Sequence, residues 1–194
     1  VRGLIGDASQ PLARINILQE DERRLLLEEW SGCSAAPVPA APPSIVAIFE
    51  EAATRHADRV AVSVAGDRAV DVAAAVSSAR QLTYRELDAS ANRVANRLRA
   101  LGVGRDDMVG LCTERSVEML VGVLGILKAG AAYVPLDPAY PADRLRFMLE
   151  DTGSRVVLTQ AHLAPALPST AALVLVFDTT GIPGESDARP AVAI

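Results

Sequence analysis

Residues 127–151 read Leu-Lys-Ala-Gly-Ala-Ala-Tyr-Val-Pro-Leu-Asp-Pro-Ala-Tyr-Pro-Ala-Asp-Arg-Leu-Arg-Phe-Met-Leu-Glu-Asp, and this stretch constrains the fold more than any other. It reads as the end of one helix, a short strand, a proline-fixed turn and the start of a second helix. Gly130 falls at the C′ position, where a glycine accepts the left-handed conformation that closes a helix. Pro141 is expected at N1 of the next helix, where its missing N–H has no intrahelical partner to lose. A strand held between two helices makes this stretch a joint of an α/β architecture.

The flanking segments continue the alternation. Thr83-Tyr84-Arg85-Glu86 is a capping box, in which the Thr83 hydroxyl and Glu86 carboxylate satisfy free N–H groups reciprocally. The helix it opens is expected to run to Leu101 with Gly102 as terminator. Tyr84, Leu87, Ala91, Val94, Ala95, Leu98 and Leu101 share its apolar face, and Arg85, Asp88, Asn92, Arg93, Asn96 and Arg99 the opposite one. Met108–Cys112 is apolar on both faces, as a buried parallel strand requires. A helix from about Ser116 to Ala129 follows. Gly122 and Gly125 each weaken it by roughly 1 kcal/mol relative to alanine, so close packing on the sheet is the expected compensation. After the joint come a helix from Ala142 to Thr152, a stop at Gly153, a strand at Val156–Thr159, a connection around His162 to Leu167 and a strand at Leu173–Phe177. The pattern is that of a largely parallel sheet flanked by helices.

Upstream, residues 10–18 are expected to be extended. They lead into a short charged helix, Gln19 to Trp30, with Glu20 and Arg24 paired at i,i+4 and Leu18, Leu26 and Trp30 on its apolar side. Ser31 to Pro43 carries Pro37, Pro39, Pro42 and Pro43 among alanines, a composition that excludes helix and ladder alike, so a boundary is placed here: 1–43 as one region, 44–194 as another. Ser44 can cap a helix to about Arg55. Val60–Val64 is a strand, and His56, just past the helix, reads as structural.

Half the residues are hydrophobic, enough to bury a substantial core. The formal charge of −5 and the lack of any basic cluster argue against nucleic acid, and Lys128 is the only lysine. Cys33 and Cys112 stand in neither metal-ligand nor redox spacing and read as two thiols of a reducing cytosol. The longest apolar run, Met119 to Leu127, is far shorter than the roughly 20 residues of a membrane span. The expectation is a cytoplasmic chain with no membrane and no nucleic-acid partner. Gly102-Val103-Gly104 lacks a third glycine and follows a helix, which excludes a dinucleotide fingerprint.

Leu-Lys-Ala-Gly-x-Ala-Tyr-Val-Pro-Leu-Asp-Pro-x-Tyr-Pro, together with Leu82-Thr83-Tyr84-Arg85-Glu86-Leu87, resembles signatures of the adenylation domains of nonribosomal peptide synthetases, which group with acyl-CoA synthetases and luciferases. The resemblance covers roughly Leu12 to Phe177 and implies a partial N-terminal subdomain of an adenylate-forming enzyme. The leucine, acidic pair, arginines and closing Trp30 resemble the tail that follows a condensation domain. Gly66 to Arg80 departs from the family, where the strand turns within a few residues into the segment at Gln81. For the intact domain the resemblance implies ATP and Mg²⁺, an aminoacyl adenylate, and transfer to the phosphopantetheine thiol of a carrier domain. Its partners would be the remainder of the adenylation domain and the adjacent condensation and carrier domains.

In the resembling family the phosphates are held by a loop of the form Tyr-Thr-Ser-Gly-Thr-Thr-Gly-x-Pro-Lys-Gly, reached after a further connecting stretch. Thr179-Thr180-Gly181-Ile182-Pro183-Gly184 echoes its second half but lacks the Tyr-Thr-Ser-Gly and the lysine, and reads as a turn. Asp137 between prolines reads as a turn acceptor, Asp143 as an N-terminal helix charge and His162 as a surface residue. No catalytic, cofactor-binding or metal-ligating residue is therefore assigned to this segment, which alone is expected to be inactive. A reading from another class is a scaffold or interaction piece that pairs with a separate or interrupted remainder of the domain.

Overall fold

The computed structural model describes residues 18–30, 43–64 and 80–190. The extended lead, nearly all of the proline-rich linker, Cys33 and the insertion up to Ala79 lie outside them. The chain divides into two units, Val1–Pro43 and Ser44–Ile194.

In the first unit, α1 (Glu20–Arg24) continues as a π-helical turn, Leu25–Glu29. Gln19 caps it by a reciprocal exchange with Glu22. The expected Glu20–Arg24 pair is replaced by Glu20–Arg23 at 3.7 Å, one residue closer and exposed on both sides.

The second unit contains α2 (Ile45–Arg55), β1 (Val60–Val64), β2 (Arg80–Thr83), α3 (Tyr84–Ala100), β3 (Met108–Cys112), α4 (Val117–Ala129), β4 (Ala132–Leu136), α5 (Ala142–Asp151), β5 (Val156–Thr159) and β6 (Leu173–Val176), with a 3₁₀ turn at Ala164–Ala166. β1 and β2 form an antiparallel pair, with Val64 opposite Arg80. The remaining strands form a parallel sheet in the order β4-β3-β5-β6. The fold is α/β, as the sequence pattern implies.

Alternation along the strands separates two cores. Val109, Leu111, Val156 and Leu158 pack under α3 and α4 with Leu87, Val94, Leu98, Val121 and Ile126. Cys112 and Val157 face the other way, toward Leu145 and Leu149 of α5. Thus α4, which follows β3, covers one face, and α5, which follows β4, covers the other.

Local signals act as expected at most helix ends. Ser44 Oγ accepts from the Ala47 N–H at 3.1 Å, and Thr83 and Glu86 form the full capping box. At the end of α4 the Ala131 N–H donates to the Ile126 carbonyl and Gly130 N–H to that of Leu127, with Gly130 at φ 90°; the same two-bond closure ends α3 at Gly102 and α5 at Gly153. Two expectations shift. Pro141 is the N-cap of α5 rather than N1: its ψ of 143° is extended, and its carbonyl receives the Arg144 and Leu145 N–H groups. Of the two α4 glycines, Gly122 packs on the sheet against Leu111, but Gly125 packs on α3. A Cβ there would stand 2.5 Å from Val94 Cγ1, so glycine sets how closely the two helices approach.

Candidate functional site

In open parallel sheets, ligands bind beyond the carboxyl ends of strands, where neighbouring strands send their connections to opposite faces. The order β4-β3-β5-β6 puts that point between β3 and β5, beside the carboxyl ends of β3 and β4. A cleft of about 780 Å³ opens there, lined by Thr113, Glu114 and Arg115 after β3, by Asp137 and Tyr140 after β4, and by side chains of α4 and α5. The post-β3 loop is held from β5's end, where Gln160 Oε1 accepts the Glu114 N–H at 2.9 Å. Asp137 is the turn acceptor expected from the sequence, its Oδ1 taking the Ala139 N–H at 2.9 Å. Asp143 stands in the first turn of α5, exposed and 2.9 Å from Arg146. The Arg144 guanidinium lies 4.0 Å from the centroid of Tyr140. Most of this lining is apolar. Strand order creates the cleft, and nothing in the sequence pattern alone marks it.

A smaller cleft, about 360 Å³, lies at the ends of β5 and β6 among Arg80, Glu118, Gln160, His162 and Asp178. Glu118 is buried, one oxygen 2.8 Å from Arg80 and the other without a hydrogen-bond partner. His162 is exposed, as expected, yet comes within 3.4 Å of Glu114, a neighbour distant in sequence.

Thr179–Gly184 is a tight turn, not a cradle. Asp178 and Gly181 exchange backbone bonds, and the Thr180 N–H and hydroxyl both donate to Asp178 Oδ1. The N–H groups of Thr180 and Gly181 are thus committed within the turn and do not fit a phosphate. Among the described residues, no three His, Cys, Asp or Glu side chains converge as a metal-holding group. Neither this turn nor any such cluster among the described residues therefore offers a fit for Mg²⁺ or the phosphates of a nucleotide. Cys112 is buried, and burial pushes its thiol pKa up, opposite to what a nucleophile requires.

The most elaborate polar arrangement surrounds Lys128. Its side chain is 0% exposed, and Nζ donates to Glu50 Oε1 at 2.7 Å, Asp88 Oδ1 at 2.7 Å and Asn92 Oδ1 at 2.9 Å, with the Phe49 ring centroid 5.7 Å away. One ammonium thereby ties together α2, α3 and α4. A buried charge is tolerated only when paired and bonded in this way, so the cluster is structural and complete. Helical periodicity placed Asp88 and Asn92 on a polar face, whereas Asn92 is buried. The available signal was a lone lysine in the otherwise apolar end of α4.

The model of the AMP-binding enzyme family matches residues 49–191. A linear gramicidin synthase of Brevibacillus parabrevis is 43% identical over 95% of this chain. The nonribosomal peptide synthetase FmoA3, in its AMPPNP-bound form, superposes with a TM-score of 0.69 at 33% identity over 90% of the chain. The N-terminal subdomain of NpsA from Klebsiella oxytoca superposes with a TM-score of 0.59 at 26% identity over 77% of the chain. The chain spans a small part of each relative: 2% of the gramicidin synthase, 17% of the FmoA3 chain and 34% of the NpsA subdomain.

Proposed function

The chain belongs to the AMP-binding enzyme family, as the N-terminal part of a nonribosomal peptide synthetase adenylation domain, and from that premise we propose that the intact domain activates an amino acid. The carboxylate attacks the α-phosphate of ATP to give an aminoacyl adenylate as pyrophosphate leaves, and a carrier-domain phosphopantetheine thiol then takes the aminoacyl group as AMP leaves. Mg²⁺, which would offset the phosphate charge, would be held by residues other than those described. The observation that carries this reading is the structural likeness, at a TM-score of 0.69, to an AMPPNP-bound synthetase.

The segment's own contribution is architectural. Its described residues contain a fully paired lysine cluster and a turn whose amides are committed, so phosphate handling belongs to residues farther along the domain. Residues 1–43 are assigned to a condensation-domain tail and linker, residues 44–194 to the adenylation domain, and the protein to the cytoplasm. No helix among the described residues is long and apolar enough to cross a membrane. The remainder of the adenylation domain and the adjacent condensation and carrier domains are the partners.

ATP–pyrophosphate exchange with pooled amino acids tests the proposal. The full-length protein is expected to exchange and the 194-residue chain to show none. Silence of the full-length protein overturns the activity; exchange by the short chain overturns the assignment of phosphate handling to residues outside it.

A further inference from the structure

Beyond β6 the chain does not leave the molecule. Residues 178–189 run back along the polar side of α3, and the helix grips them mainly by their backbone. Ser90 Oγ donates to the Thr179 carbonyl at 2.8 Å, Arg93 to that of Thr180 at 3.0 Å, and Asn92 to that of Asp187 at 2.8 Å. The Asn96 amide donates to two carbonyls, Ser186 at 2.7 Å and Ala188 at 2.9 Å. Gly181 lies so close that a Cβ would stand 2.4 Å from the Ser90 carbonyl oxygen, and its φ of 86° excludes one on conformational grounds too.

Charges along the contact are complementary. Arg93 pairs with Asp187 at 3.0 Å and Arg97 with Glu185 at 3.6 Å. At the far end the sign reverses, and Arg189 reaches Asp88 Oδ2 at 3.4 Å, the Glu50 carbonyl at 3.2 Å and Thr54 Oγ1 at 3.1 Å. Asp88 is therefore shared between Arg189 and Lys128, one cation on each oxygen. Contacts to carbonyls dictate a path and leave the side chains of the strap free to vary. The charge pairs fix its register.

We propose that Arg93, Asn96 and Arg189 are positioning residues for adenylation: they fix the path of residues 178–189, and so the direction in which the chain sets out toward its phosphate-holding loop. This rests on the function proposed above. The geometry favours Asn96 as the most consequential of the three, because one side chain supports two carbonyls.

The test uses the full-length protein and two readouts. Backbone hydrogen exchange of the peptides covering 178–189 reports whether the strap is held, and ATP–pyrophosphate exchange reports KM for ATP and for the amino acid separately. Asn96→Ala is expected to speed hydrogen exchange there and to raise KM for ATP by about tenfold, the effect of losing one or two hydrogen bonds, while KM for the amino acid stays within about twofold. Asn96→Gln, which keeps the amide donor, is expected to recover part of the loss. Unchanged hydrogen exchange overturns the proposal, as does faster hydrogen exchange with both KM values unaltered. An equal rise in both KM values with a lower thermal midpoint marks a merely structural role and overturns it as well. A wild-type protein without pyrophosphate exchange overturns the underlying function, and with it the positioning role, even where strap protection is still lost in Asn96→Ala.

Discussion

Lys128 and Asp137 stand at the two ends of one short run of chain, and they meet opposite surroundings. Lys128 is sealed among three helices, with each neighbouring acceptor bonded to it. Asp137 borders an open cleft and spends a single oxygen on its own turn. A long sequence signature therefore need not mark one site. Its first part closes a core, its middle supplies a strand, and its last part borders an open cleft.

Substituting the closed end should have the largest effect. Lys128→Met leaves the partly buried Glu50 and Asp88 facing each other, with only Arg189 still on Asp88, and is expected to cost about 3 kcal/mol in denaturant unfolding. Adding Glu50→Gln and Asp88→Asn should recover part of that loss. A cost below about 1 kcal/mol would mean that the cluster is solvated like a surface pair, and the contrast would collapse. Next in size is Gly125→Ala, where the new methyl drives into Val94; about 1–3 kcal/mol is expected despite the gain in helix propensity, measured the same way.

Capping is legible in sequence, so its effect should be ordinary. Thr83→Ala is expected to lower stability by about 1 kcal/mol. Glu86 adds a pH dependence: the Thr83 N–H first, and its hydroxyl second, hold the carboxyl below the usual range. A depressed folded-state value contributes stability above the unfolded pKa and loses it as pH falls through the folded one. The stability gap between wild type and Glu86→Gln should therefore be present at neutral pH and close in acid, as thermal melts across the acid limb would show. A gap that widens in acid would reverse the sign. At the open end, Asp137→Ala is expected to change stability by no more than about 0.5 kcal/mol. A large loss there would show that the last part of the signature also closes structure.

What the sequence disclosed follows the range over which each interaction acts. The glycine closures, the Ser44 and Thr83 caps and the apolar strands depend on neighbours within a few residues, and they stand where the pattern puts them. Pro141 shifted by one position because N-cap and N1 both dispense with its N–H. Asn92 was misplaced because periodicity assigns a face to each residue but does not say what later covers it. The strap was invisible for a stronger reason: its acceptors are backbone carbonyls, which every residue type carries. The cleft at the carboxyl ends of β3 and β4 likewise depends on strand order, which the sequence leaves open, and Gly125 needed the position of α3 before its partner could be named.

Because Lys128 is the only lysine in the sequence and its amine is wholly enclosed, lysine-directed reagents have a single side chain to find. Their rate at that residue becomes a clock for one event, the parting of α2 from α3 and α4, in the way that a slowly exchanging amide reports local opening. Within these 194 residues the chain thus carries its own conformational probe, with no label to introduce and no second lysine side chain to confuse the reading.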